Sequence, residues 1–544
     1  MSSPFAVFAA ETLERWLAAH PVDATLLGDH NHDHELDNPS IDAAVARAAD
    51  LRVQLATLDA LDIEDDPDER IDAEVLRTAL SVELLDLDDV DEPAWNPMVH
   101  NPGTALYSLA SRPFISATKR LDSARARLSA IPTYLAAARD RLGSVSRPHV
   151  ETAIAQLDGT IALIDTALPD LATEAGGTLG AEADAARTAL VAHQDWLRGK
   201  LDEAERDPRL GADRFRAKLA LTLDTDFVPE ALLARAEKDL DRITAQLIDE
   251  AGRFADVAEP DASTVKAVLD ELARDVPNDE TILPLCRDAL TATTQFVRDL
   301  DLVTVYDDPI DIIEMPEIDR GVAGAYCNPS GPLEAEPLPT QFAVSPTPKD
   351  WSPDRVASYY REYNKHLLHD LTIHEAMPGH ALQLMHSNRH RASTPIRAVF
   401  GSGSFIEGWA VYSEELMALR GYRRDESERA GAALRMHQLK MQLRTTLNTI
   451  LDIRFHCADL DERAAVELMT RRGFQQDGEA IEKWRRVQLT STQLCTYYVG
   501  YCEVRDLAID LRRAHPDWRE CELHDSILGH GSPPVRHLRT LLLG

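Results

Sequence analysis

Cysteine is scarce in this chain: six residues among 544, none in a C-x-x-C pair. That excludes a disulfide scaffold and argues for reduced thiols. Long apolar runs are missing too. Nothing approaches the roughly 18 uncharged apolar residues of a membrane span. The opening segment, MSSPFAVFAAETLERWLAAHP, has no basic leader, and Glu11, Glu14 and Arg15 interrupt its apolar stretch. It therefore does not read as a signal peptide, and a cytoplasmic protein is expected. Basic residues are in deficit, with 57 Lys and Arg against 92 Asp and Glu, a formal charge of −35. Such a surface repels polyanions, which argues against nucleic acid or an anionic membrane as a partner.

What remains is the composition of a globular protein, 44% hydrophobic and 27% charged, longer than one simple core usually fills. Helical periodicity dominates up to about residue 300. In the segment opened by Pro229, the residues Leu233, Leu240, Ile243 and Leu247 recur at spacings of 7, 3 and 4 with charges between them. Similar patterns run through Phe5 to Leu17, Ile41 to Leu61, Ile71 to Leu87, Leu121 to Leu142, Val150 to Leu168 and Ala185 to Leu201. No fixed-period repeat marks a solenoid. Between 302 and 345 the character changes: Val303, Val305, Tyr306, Ile310, Ile312 and Ile313 favour short strands, and Pro and Gly turn signals follow. Helices resume after Trp351. The expected fold is mainly α with a small sheet, in two parts: an N-terminal helical lobe over 1–300 and a catalytic lobe over 301–544.

The chemistry concentrates in LTIHEAMPGHALQ, Leu371 to Gln383, where His374 is followed at once by Glu375 and then by His380. In zinc peptidases, two His at i and i+4 on one helical face chelate the metal, and the Glu after the first His takes a proton from water. Here the second His stands at i+6, about 240° around a regular helix, so the two rings diverge unless the helix distorts. Pro378 and Gly379 supply a cause. Proline cannot donate to the carbonyl four residues back, and glycine tolerates unusual dihedrals; a two-residue bulge is expected to bring His380 to the usual i+4 place. Twenty-seven residues beyond His380, in SFIEGWAVYSEEL, lies Glu407, in the first turn of a helix with an apolar face. It is positioned to complete a His, His, Glu site. Glu414, seven residues on, falls near the same face and would orient a ligand imidazole from behind. The bland reading makes both of them helix-terminus or surface carboxylates.

With these motifs in hand, the sequence resembles the bacterial domain-of-unknown-function 885 family. The residues that carry the resemblance are the His374 to Gln383 segment, Phe405 to Glu414, Tyr497 to Gly500, and His524 to Pro534; the N-terminal ATLLGDHNHDHELDN is also similar. The resemblance implies a helical zincin-like (gluzincin) bundle with a deep central channel. It also implies zinc as cofactor, His374, His380 and Glu407 as ligands, and Glu375 as general base. The family tyrosine matches Tyr497, and by likeness to helical peptidyl-dipeptidases Tyr497, Tyr498 or Tyr501 would stabilise the oxyanion, with Tyr497 and Tyr498 the two carried forward.

Other polar features compete. His30, His32 and His34 look like a metal tract but sit in an acidic, Gly- and Asn-flanked turn. His386 and His390, four apart, are backup ligands. Arg444, Arg454 and Arg505 suit a substrate carboxylate or, more simply, one of the many acids. Asp452 with His456, and His524 with Asp525, either line a site or serve structure. The reading that results is a zinc-dependent hydrolase of peptide bonds in short peptides. Two competitors stand beside it: a metal-dependent amidohydrolase of an acylated amino acid or metabolite, and a non-catalytic helical binding protein with a degenerate site.

Overall fold

Helices begin where the sequence provides caps. Asn364 accepts hydrogen bonds from the His366 and Leu367 N–H groups and opens the helix Lys365–Glu375. The Ser402 hydroxyl accepts from Phe405 N–H and opens Gly403–Leu419, while Pro229 occupies the first position of Pro229–Ala255. The computed structural model describes residues 3–63, 66–315, 324–348 and 351–544. The periodic segments of the first half appear as Pro4–Ala19, Ile41–Ala60, Pro67–Leu85, Ala117–Arg141, Arg147–Asp165 and Ala181–Lys200. In Pro229–Ala255 the buried stripe runs through Leu232, Ala236, Leu240, Ile243 and Leu247. Leu232 rather than Leu233 points inward, because 232, 236 and 240 follow the i, i+4 row of the helix.

The chain forms two units, and their boundary differs from the expected one near 300. The first comprises 1–210 with 330–338 and 392–400; the second comprises 211–329, 339–391 and 401–544. The reason is packing: the apolar stripe of Pro229–Ala255 lies along the 30-residue helix Glu428–Cys457, so the segment 211–300 belongs with the C-terminal half. Periodicity reveals a stripe but not its partner. In the first unit a core of Leu121, Leu128, Leu135, Leu190 and Leu197 holds its long helices together. In the second, Leu451, Phe455, Met469, Trp484 and Val487 form one cluster.

The small sheet belongs to the second unit. Strands β1 (Ile310–Glu314), β2 (Ala325–Asn328) and β3 (Thr340–Val344) lie in the order β1-β3-β2. Strand β1 is parallel to β3, with Ile312 opposite Phe342, and β2 is antiparallel to it, with Cys327 opposite Phe342. The stretch Val303 to Tyr306, expected as strand, is not one. Its backbone is taken by side chains: the Leu302 carbonyl by His524, the Thr304 carbonyl by His386, and the Thr304 N–H by Asp525. β-Branched composition cannot foresee such long-range partners. All six cysteines are free, and no described helix is long and apolar enough to cross a membrane.

Candidate metal centre

Every group of the site lies in the second unit. The helix Lys365–Glu375 carries His374 and ends there; a new helix, His380–Ser387, begins at His380. The two-residue bulge expected at Pro378 and Gly379 is thus a full break of four residues. Gly379 N–H turns back to the Ile373 carbonyl at 2.9 Å, and Met377 N–H to that of Thr372 at 3.1 Å. A Cβ on Gly379 would stand 2.6 Å from the His374 carbonyl carbon and nearer still to its oxygen, so only glycine fits. The Trp409 indole donates to the Pro378 carbonyl at 2.8 Å, tying the linker to the helix Gly403–Leu419.

The break turns the rings toward each other. Their centroids are 4.7 Å apart with planes at 86°. Glu407 reaches between them: its Oε2 is 3.4 Å from His374 Nε2 and 3.4 Å from His380 Nε2. One ligand atom from each of the three lies within 4.8 Å of the others. The same Oε2 is buried without a hydrogen-bond partner among the described residues. Ligand atoms held about 2.0–2.1 Å from a tetrahedral zinc are themselves about 3.3–3.4 Å apart. The two nitrogen-to-oxygen distances match that spacing and are too long for good hydrogen bonds, and two imidazoles with a carboxylate are a donor set that suits zinc.

Glu414 lies behind His374, its Oε1 accepting from Nδ1 at 2.6 Å. An Nδ1 proton held in that bond leaves Nε2 as the ring nitrogen that faces Glu407. His380 has no such support; its Nδ1 is buried without a partner among the described residues, and its ring is set by the Gly379 turn. Burial opposes charge on His374, but the neighbouring Glu407 carboxylate, the bond to Glu414 and the nearby Glu375 charge outweigh it and hold the ring well above its usual range. Burial likewise disfavours the Glu407 carboxylate, yet His380 and His374 keep it well below the ordinary carboxylate range. The pocket therefore stabilises a positive charge beside Glu407. Glu375, the last residue of its helix, is buried, and its side chain has no hydrogen bond or ion pair among the described residues.

The tyrosines separate by their partners. Tyr498 is fully buried and donates to Asp239 at 2.7 Å, so it is not the oxyanion donor expected of it. Its apolar surroundings and a carboxylate acceptor explain the burial. Tyr501 donates to Glu415 at 2.8 Å. Tyr497, half-buried, accepts from Arg486 at 3.5 Å and Gln493 at 3.4 Å and donates to no acceptor among the described residues. It sits on the helix Thr496–Ala514 between Thr496, which neighbours Gly403, and Gly500, whose Cα-borne methyl would meet Gly408 Cα at 2.9 Å. Those contacts flank Glu407.

The backup ligands are structural. His386 bonds the Thr304 carbonyl and His390 the Gly529 carbonyl. His30 lies between Asp33 and Glu334, and His456 bonds the Thr490 carbonyl. Arg444, Arg454 and Arg505 pair with Glu479, Glu237 and Glu415. Sequence reading overlooked Asp370, one turn before His374. It is buried, and burial together with the Glu414 charge pushes its carboxyl well above the usual range. An acid at i−4 of a candidate ligand was the available signal.

A mainly helical chain with two imidazoles and a carboxylate gathered around one point is the class that fold and site define. The chain belongs to the DUF885 family, bacterial proteins of unknown function, which it matches over residues 21–542. Among solved structures it is similar to a putative lipoprotein of unknown function from Shewanella oneidensis, with 28% identity, a TM-score of 0.84 and both chains covered completely. It is also similar in fold to a putative lipoprotein from Colwellia psychrerythraea, with 15% identity and a TM-score of 0.82, over 99% of this chain and 98% of that one. No curated protein matches the sequence.

Proposed function

We propose that this chain is a zinc-dependent hydrolase of peptide bonds in short peptides, built on a helical zincin-like plan. The observation that carries the reading is the convergence of His374, His380 and Glu407 within 4.8 Å, with Glu407 Oε2 at 3.4 Å from each Nε2 and Glu375 next in sequence to the first His. His374, His380 and Glu407 would hold the metal, which when bound supplies Lewis acidity to the scissile carbonyl and to water. Glu375 takes a proton from the attacking water as its oxygen bonds the carbonyl carbon, then delivers that proton to the nitrogen as the C–N bond breaks. Glu414 keeps the proton of His374 on Nδ1. Tyr497, whose O–H meets no acceptor among the described residues, donates to the oxyanion.

Protein purified without chelator is expected to hold one zinc per chain. Glu375→Gln should keep that zinc and lose turnover of a mixed-peptide library by about 10²–10⁴-fold, since the ligands remain and only the base is removed. A Glu375→Gln protein that cleaves peptides as fast as the parent rules out the mechanism.

A further inference from the structure

His380 and Glu407 stand on different helices, His380–Ser387 and Gly403–Leu419. The connection between these helices includes 392–400, which belongs to the first unit, so the chain itself is not a short tie. One direct tie lies just before His380, where the Trp409 indole donates to the Pro378 carbonyl at 2.8 Å. A single tie leaves a pivot. Rotation of the short helix about it would swing the His380 imidazole through an arc, whereas metal–ligand distances hold to about ±0.2 Å. His386 bonds the Thr304 carbonyl, which belongs to neither ligand-bearing helix.

Ser532 supplies a second tie between the two helices, from the loop 529–534 that separates Glu520–Leu528 from Val535–Leu543. Its hydroxyl accepts from Gln383 Nε2 at 2.8 Å and donates to the Ser387 hydroxyl at 2.9 Å. Its carbonyl accepts from the Ser402 N–H at 2.7 Å. Ser402 is the residue whose hydroxyl caps the helix of Glu407. One residue therefore grips the His380 helix with its side chain and the start of the Glu407 helix with its main chain. His380, Gln383 and Ser387 follow one another at i, i+3 and i+7, so the grip falls on the helix face that carries the ligand. Gly531, with φ +78°, makes the turn before Ser532, and the rings of Pro533 and Pro534 restrict the backbone after it.

Ser532 and Gln383 are both buried, so water does not compete for the bond between them. Gln383 also keeps Oε1 buried without a partner among the described residues. Packing alone would favour leucine there, since an unpaired buried amide oxygen is costly. We propose that Ser532, acting through Gln383, is a positioning residue of the metal centre. It fixes the inclination of the His380 helix against the start of the Glu407 helix, and so sets the His380 Nε2 to Glu407 Oε2 spacing. The inference rests on the zinc reading above and adds residues to it that bind no metal themselves.

The test measures zinc affinity of the full chain by chelator competition, apart from turnover. Ser532→Ala removes the hydroxyl but keeps the carbonyl tie, and Gln383→Leu removes the amide; each should weaken zinc about 10-fold. The double variant should lose little more than either single one, because both remove the same bond. Ser532→Thr keeps the hydroxyl and should recover most of the affinity. Ser526→Ala, which loses a hydroxyl bonded within its own helix, is the control and should bind zinc like the parent. Crystals of metal-free Ser532→Ala and Gln383→Leu should place His380 Nε2 farther from Glu407 Oε2 than the 3.4 Å of the parent, a readout that needs no zinc. A merely structural hydroxyl would lower the melting temperature and leave both affinity and distance unchanged. That result in both Ser532→Ala and Gln383→Leu, or an equal loss of zinc in Ser526→Ala, would overturn the inference. Failure of the hydrolase reading looks different: the unsubstituted protein takes up no zinc or cleaves no peptide, while the metal-free distances still decide for or against Ser532.

Discussion

Gly379→Ala probes the local geometry on which the centre depends. The added methyl would lie 2.6 Å from the His374 carbonyl carbon, and Cβ contacts below 3.0 Å are essentially never found, so the linker must shift by at least 3.0 − 2.6 = 0.4 Å. The carbonyl oxygens of His374 and Ile373 are closer still and demand more. Metal–ligand distances hold to about ±0.2 Å. The least displacement is therefore twice that tolerance, and it falls on the residue immediately before His380. Zinc affinity, measured by competition with a chromophoric chelator, is expected to drop by at least about 100-fold. Melting of the metal-free form should show a cost of about 1–3 kcal/mol for the overpacked turn. Gly478→Ala is the control, since a Cβ there meets nothing within 4 Å. A Gly379→Ala protein that binds zinc and melts like the parent would refute the steric argument.

Two further outcomes follow from the buried acids. Glu414→Gln weakens the 2.6 Å bond to His374 Nδ1, and zinc affinity by chelator competition should fall about 10- to 100-fold with the helices intact by circular dichroism. Asp452, fully buried, is pushed up to about 7 by burial. Protonated in the folded state well above its unfolded value near 3.9, it contributes stability that is fully present below about pH 4 and lost as pH rises through about 7, on the order of 4 kcal/mol in all. Asp452→Asn should therefore raise the melting temperature at pH 8 and leave it nearly unchanged at pH 4; an equal shift at both would contradict the assignment.

Much of this molecule could be read from residues alone, for identifiable reasons. Amphipathic stripes and Pro or Ser caps locate the helices, since both are properties of short windows. The convergence of His374, His380 and Glu407 could be expected from their residue types and from the Pro378 and Gly379 that interrupt the helix between the two His. The full break at Ala376 to Gly379 could not, because it depends on how closely Gly379 approaches the carbonyl of His374. Tyr498 misled for the same kind of reason: its acceptor, Asp239, lies 259 positions away. The boundary at 210 was hidden because a stripe does not name the surface that covers it.

The crossing of Gly403–Leu419 with Thr496–Ala514 has one further consequence. Where Gly408 meets Gly500 no side chain separates the two main chains, so the distance between these rods is fixed by atomic radii and not by rotamers that can relax. Glu407, one residue from that point of touch, is gauged against a hard stop. A centre assembled in this way trades adaptability for reproducible placement of its acid, and the tolerance of the whole protein to change should be narrowest at two positions that carry no functional group at all.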